Sequence, residues 1–171
     1  MRRVTSIAIA ALLLAGVPDG ARAQLHLGAQ GSMAFDRPSD ETTTGVGVKA
    51  VLGLPAIPIE VHGSVDYFFP DCDPVDCSFW EANANAVFRL PLPGAPLRPY
   101  LGAGLNYQSF GVDDVPAGVA VSDASGTGIN ILGGVELGAT PLIRPFVEAR
   151  YEIIDSDGLE NQLVLSAGII L

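Results

Sequence analysis

Three observations predict an all-β fold, an eight-stranded antiparallel transmembrane up-and-down β-barrel. Eight stretches alternate apolar with polar or small residues, two chemically unlike kinds of connection take turns between them, and no stretch prefers helical spacing. Side chains point alternately to the two faces of a strand, so each stretch has one apolar face and one polar or small face. Each is close in length to the roughly 9–11 residues that cross a bilayer as a tilted strand.

The stretches follow a segment expected to lie outside the fold. Arg2 and Arg3 precede an apolar run from Ile7 to Val17, and Ala21-Arg22-Ala23 supplies a small-x-small cleavage site. Residues 1–23 therefore read as a secretory signal peptide, and residues 24–171 as a single barrel domain. The whole chain carries a formal charge of −10. Loss of the leader removes Arg2, Arg3, Arg22 and Asp19, which leaves the remainder more acidic still. Such a balance repels nucleic acid and suits cations.

In the first stretch Leu25, Leu27, Ala29, Met33 and Phe35 oppose His26, Gly28, Gln30 and Ser32. The second sets Val46, Val48, Ala50, Leu52 and Leu54 against Gly45, Gly47, Lys49, Val51 and Gly53. The third sets Ile59, Val61, Val65, Tyr67 and Phe69 against Glu60, His62, Ser64 and Asp66. The fourth alternates most cleanly, with Trp80, Ala82, Ala84, Ala86, Phe88 and Leu90 facing away from Glu81, Asn83, Asn85 and Arg89. The fifth, "PYLGAGLNYQS", and the sixth, "GINILGGVELG", put glycine, Asn106, Gln108, Asn130 and Glu136 on the polar side. The seventh opposes Val147, Ala149, Tyr151 and Ile153 to Glu148, Arg150 and Glu152, and the eighth is "LENQLVLSAGIIL".

Proline-bearing turns follow the second, fourth and sixth stretches: "LPAIP", "LPLPGAPLRP" and "ATPLIRP". Acidic or glycine-rich loops follow the first, third, fifth and seventh: "DRPSDETTT", "PDCDPVDCS", "GVDDVPAGVAVSDAS" and "DSDG". The two ends of the sheet are thus unlike. Phe35, Tyr67, Phe69, Trp80, Tyr107 and Tyr151 all stand on the apolar parity near the acidic loops, where a membrane interface selects an aromatic belt. Tyr100 and Phe146 fall on the other parity near the proline turns and are expected to pack as a floor.

An apolar face on every strand can be a soluble core or can point into lipid. Here the apolar parity is rich in Ala, Val and Leu, and the opposite parity in Gly, Asn and Ser. Small residues suit the crowded inside of an eight-stranded barrel, and closure pairs every backbone group that hydrocarbon cannot satisfy. The charges of the polar parity must then pair inside: Lys49, Glu60, His62, Asp66, Glu81, Arg89, Glu136, Glu148, Arg150 and Glu152 form the expected interior network.

"RPYLGAGLNY" at Arg98 to Tyr107, then "GINILGGVELG", then "IRPFVEARYEI" and a last alternating strand resemble the C-terminal half of small outer-membrane β-barrels of the opacity-protein and OmpA/OmpW-like superfamily. The resemblance spans residues 24–171 in layout and is motif-like over residues 98–153. It implies a location in the bacterial outer membrane with lipid as partner, both termini in the periplasm, and insertion by the barrel-assembly machinery reading the last strand.

The expected function is non-enzymatic, a structural or surface-interaction barrel with acidic extracellular loops as its contact surface and no cofactor. Two alternatives stand beside it. Strand three lines up Glu60, His62, Ser64 and Asp66 on one face, and its "HGS" is faintly similar to the His-x-Ser of outer-membrane lipid A deacylases; a Ser-His-acid enzyme needs those groups within hydrogen-bond reach. A secreted soluble binder of lipocalin or avidin type would instead turn the apolar parity inward. Cys72 and Cys77, in "DCDPVDC", are expected to form a disulfide in an oxidising compartment, with free or metal-bound thiols as the alternative. Asp71, Asp73 and Asp76 in the same loop are candidate weak ligands for a divalent cation, without the EF-hand pattern. Oligomeric state is left unassigned.

Overall fold

The computed structural model describes residues 24–36, 42–53, 58–71, 76–113, 124–138, 143–155 and 159–171. The expected leader, 1–23, lies outside them. Eight strands follow one another along the chain: β1 (Gln24–Asp36), β2 (Thr42–Gly53), β3 (Ile59–Phe69), β4 (Asp76–Arg89), β5 (Leu97–Asp113), β6 (Ala124–Leu137), β7 (Arg144–Ile154) and β8 (Gln162–Ile170). Each pairs antiparallel with its neighbours, and β8 returns to β1 with Gly31 opposite Ala167 to close the barrel. Closure leaves no strand edge, so backbone donors and acceptors are met within the sheet.

Several strands run further than alternation alone indicates. β5 continues to Asp113 and β6 begins at Ala124, so part of the stretch read as a glycine-rich loop is an extended hairpin, with Phe110 opposite Ala124. β4 likewise starts at Asp76, inside the acidic loop, with Asp76 opposite Asp113. Cross-strand pairing prolongs a hairpin through residues whose own alternation is weak.

At the opposite end β4 and β5 are joined through a tight turn. Ala95 N–H donates to Leu92 C=O at 3.3 Å across Pro93-Gly94, and Gly94 has φ of 80°. Proline at the first central position and a positive φ at the second make a type II turn, which needs glycine there.

The polarity of the barrel is inverted relative to a soluble protein. Leu105 is 65% exposed and Val48 61%, whereas Asp66, Glu81, Glu136 and Glu152 are fully buried in the lumen. The outer face thus carries most of the described leucines, valines and isoleucines, and the inside carries the charges. Tyr67, Phe69, Trp80, Tyr107 and Tyr151 are exposed on that outer face and Phe35 is half-buried. Trp80 and Tyr107 lie ring to ring at 5.3 Å, as do Tyr67 and Phe69.

Large lumen side chains sit beside glycines on the next strand. Gly45 faces Phe68, Gly47 faces Asp66, Gly134 faces Tyr100 and Gly168 faces Phe146. A methyl group added at Gly45 would come within 2.7 Å of the Phe68 ring, and one at Gly168 within 2.9 Å of the Phe146 ring. Eight strands enclose so little space that each bulky group needs a missing neighbour.

Candidate functional site in the lumen

Inward-facing charges gather in two layers. The first is centred on Arg150 of β7, whose guanidinium is surrounded by four carboxylates. It pairs with Glu152 at 2.5 Å, with Glu81, and more loosely with Asp66 and Glu148 at 3.6 Å each. Lys49 reaches Glu148 from β2 at 2.5 Å, with its ammonium 4.5 Å from the centre of the Phe146 ring. Tyr100 Oη donates to the same Glu148 at 2.9 Å.

Neutral amides and hydroxyls fill in around these charges. Gln162 Nε2 donates to both Glu81 (2.9 Å) and Glu152 (2.8 Å), and Gln108 donates to Glu152 at 2.7 Å. Gln30 and Ser32 donate to Asp66 at 2.6 and 2.9 Å. These contacts draw on strands around the circumference, so the network ties distant strands together. Buried charge is tolerable only with such satisfaction.

The second layer lies at the turn end. Arg89 pairs through Nε with Glu60 and through Nη2 with Glu136, each at 2.7 Å. Arg144 meets the other oxygen of Glu136 at 3.4 Å, and His62 Nε2 is 3.1 Å from Glu60. Between the layers stand two apolar clusters, Val51–Phe146–Ile170 and Val87–Tyr100–Leu132. Toward the loop end Ala34, Phe68 and Val164 form a third, with Phe79 stacked on Phe68 at 5.2 Å. Tyr100 and Phe146 thus belong to the partition between layers.

Of the ten interior charges singled out in the sequence, the structure places Lys49, Asp66, Glu81, Glu148, Arg150 and Glu152 in the central layer and Glu60, His62, Arg89 and Glu136 in the turn-end layer. Arg144 was not among them, because it falls in "ATPLIRP", which reads as a turn. Its signal was parity: it precedes Phe146 by two on the inward side of β7.

The possible hydrolytic row on β3 is not assembled. His62 Nε2 is engaged with Glu60, Asp66 is held by Gln30 and Ser32, and buried Ser64 Oγ has no hydrogen-bond partner among the described residues. Glu60, His62 and Glu136 do bring ligand-type atoms within 4.8 Å of one another. The carboxylates of that group already face the guanidiniums of Arg89 and Arg144, which oppose a cation there. Asp71 is exposed, while Asp73 and the side chain of Asp76 lie outside the described residues. Cys77 is no free thiol, and Cys72 lies outside the described residues.

A closed eight-stranded antiparallel barrel with an apolar exterior and an ion-paired, filled lumen is the fold of small transmembrane β-barrels. Known structures share it. The chain is similar to Neisserial surface protein A, with a TM-score of 0.67 and 22% identity over 87% of this chain and 97% of that one. It is also similar to the N-terminal β-barrel domain of Pseudomonas aeruginosa OprF, with a TM-score of 0.59 and 18% identity over 88% of this chain and 100% of that one. A third likeness is to Ail, the attachment invasion locus protein of Yersinia pestis, with a TM-score of 0.55 and 15% identity over 86% of this chain and 94% of that one. No protein-family model and no curated protein matches the chain. By fold it stands with the small outer-membrane β-barrels.

Proposed function

We propose that this chain is a non-enzymatic barrel of the bacterial outer membrane, with a structural or surface-interaction role exercised through acidic loops at one end. The observation that carries this reading is the inverted polarity: an apolar exterior around a lumen filled by ion pairs. Lipid is then the solvent of the outer face and the constant partner of the protein. Folding there follows delivery as a secreted precursor whose first 23 residues are removed and whose last strand is read by the barrel-assembly machinery.

The loop end supplies the contact surface. In sequence, each of its four connections, counted with the strand-end residues that flank it, carries three acidic residues: Asp36, Asp40 and Glu41; Asp71, Asp73 and Asp76; Asp113, Asp114 and Asp123; Asp155, Asp157 and Glu160. Arg37 is the single cation among them. A surface of one sign favours cationic partners and repels polyanions. A disulfide between Cys72 and Cys77 would hold the second of these loops in one shape. Side chains packed through the lumen support a role without bulk diffusion, since eight strands leave room for little else.

Cell fractionation followed by gel electrophoresis of boiled and unboiled samples tests the reading. An outer-membrane band whose mobility changes on boiling is expected. A monodisperse, compact protein in detergent-free buffer would contradict it, because the apolar parity would then have to be interior.

A further inference from the structure

We propose that the turn-end mouth of the barrel is a phosphodiester-binding site formed by Arg89, Arg98 and Arg144. An open cavity of about 650 Å³ lies there, lined by those three arginines with His26, Glu60 and the turn that carries Leu90 and Pro93. The arginines come from β4, β5 and β7, and two of them, Arg89 and Arg144, share the carboxylate of Glu136. Arg98 on β5 is directly opposite Glu136 on β6, Arg144 begins β7 beside it, and Arg89 arrives from the end of β4.

The carboxylates present do not saturate these guanidiniums. Glu60 and Glu136 together engage Arg89 and Arg144, yet the buried Arg89 Nη1 and Arg144 Nη2 have no hydrogen-bond partner among the described residues. Arg98 is exposed, and no described carboxylate forms an ion pair with it. Three guanidiniums against two side-chain carboxylates leave guanidinium donors in excess at the mouth. A phosphodiester supplies acceptor oxygens to such donors. Planar guanidiniums also match two phosphate oxygens at once.

Position and surroundings narrow the chemistry. Leu90, Leu92 and Leu97 are exposed on the rim of the same mouth, so a ligand with an apolar part beside its phosphate gains contact that a bare ion does not. The headgroup of an anionic glycerophospholipid has that form, its phosphate over the arginines and its acyl chains along the leucines of the outer face. A water-soluble phosphodiester shares the charge and lacks the chains. The lipid source rests on the membrane reading above, whereas binding of the soluble diester does not.

The test uses the whole refolded barrel. In one arm, native mass spectrometry counts phosphatidylglycerol retained by the protein released from phosphatidylcholine nanodiscs that contain a minority of phosphatidylglycerol. In the other, glycerophosphoglycerol is titrated into the protein in detergent and followed by calorimetry. The wild type should retain phosphatidylglycerol over phosphatidylcholine. Because Arg98 makes no ion pair among the described residues, Arg98→Gln should fold as the wild type does, with the same mobility change on boiling, and lose about tenfold in binding. Arg98→Glu should abolish it. Binding of glycerophosphoglycerol with the same dependence on Arg98, without lipid retention, assigns the site to a soluble diester. Wild-type binding by both Arg98 variants, or no binding in either arm, overturns the proposal. Failure of the mobility change in the wild type would instead count against the membrane reading.

Discussion

The two charged layers of the lumen solve different problems with the same residue types. In the central layer Asp66, Glu81, Glu148 and Glu152 face only Arg150 and Lys49, and every group is buried. Around it, the atoms without a hydrogen-bond partner among the described residues are amide oxygens such as Gln30 Oε1, Asn106 Oδ1 and Asn130 Oδ1. At the turn end the shortage is reversed, with nitrogens of Arg89 and Arg144 left without partners. The centre of the barrel therefore holds more carboxylates than cations, and the mouth more guanidinium donors than partners for them. Apolar clusters stand between the two.

That contrast predicts which residues matter most. Arg150→Met removes the cation on which four buried carboxylates converge and should cost about 3–5 kcal/mol of folding free energy, read as a lower urea midpoint for refolding into vesicles. Adding Glu81→Gln to that variant should recover part of the loss, since one fewer buried charge is then left unpaired. A null effect of Arg150→Met would mean that the central layer is not dehydrated.

A smaller cost, about 1.5–3 kcal/mol, is expected for Glu136→Gln at the turn end, where one carboxylate serves two guanidiniums. The same urea titration measures it. Smallest of all should be Glu81→Gln alone, within about 1 kcal/mol of wild type in either direction. Its layer already has more carboxylates than cations, and Arg150 keeps Glu152, Asp66 and Glu148. If Glu81→Gln proved costlier than Glu136→Gln, the asymmetry between the layers would be refuted.

Much of this architecture was legible in the sequence because a barrel strand writes its two environments into alternate residues. Glu81, Asn83 and Asn85 against Ala82, Ala84 and Ala86 state the inside and outside of β4 without reference to any other strand. What alternation does not state is which residues meet across the lumen. Arg150 on β7 reaches Asp66 on β3 and Glu81 on β4, contacts set by barrel radius and strand stagger. The division into two layers was illegible for the same reason. Arg144 and the ends of β5 and β6 were hidden because turn-forming prolines and glycines mask alternation where pairing still holds.

Trp80 is the only tryptophan in the chain, and it stands on the outer face near the loop end. Its fluorescence in vesicles whose lipids carry bromine at successive depths along the acyl chain therefore reports directly on whether the apolar parity meets lipid. Quenching is expected at every depth tested, strongest for bromines close to the headgroups, where an interfacial aromatic sits. Emission untouched by bromine at any depth would place Trp80 away from lipid and contradict the inside-out barrel.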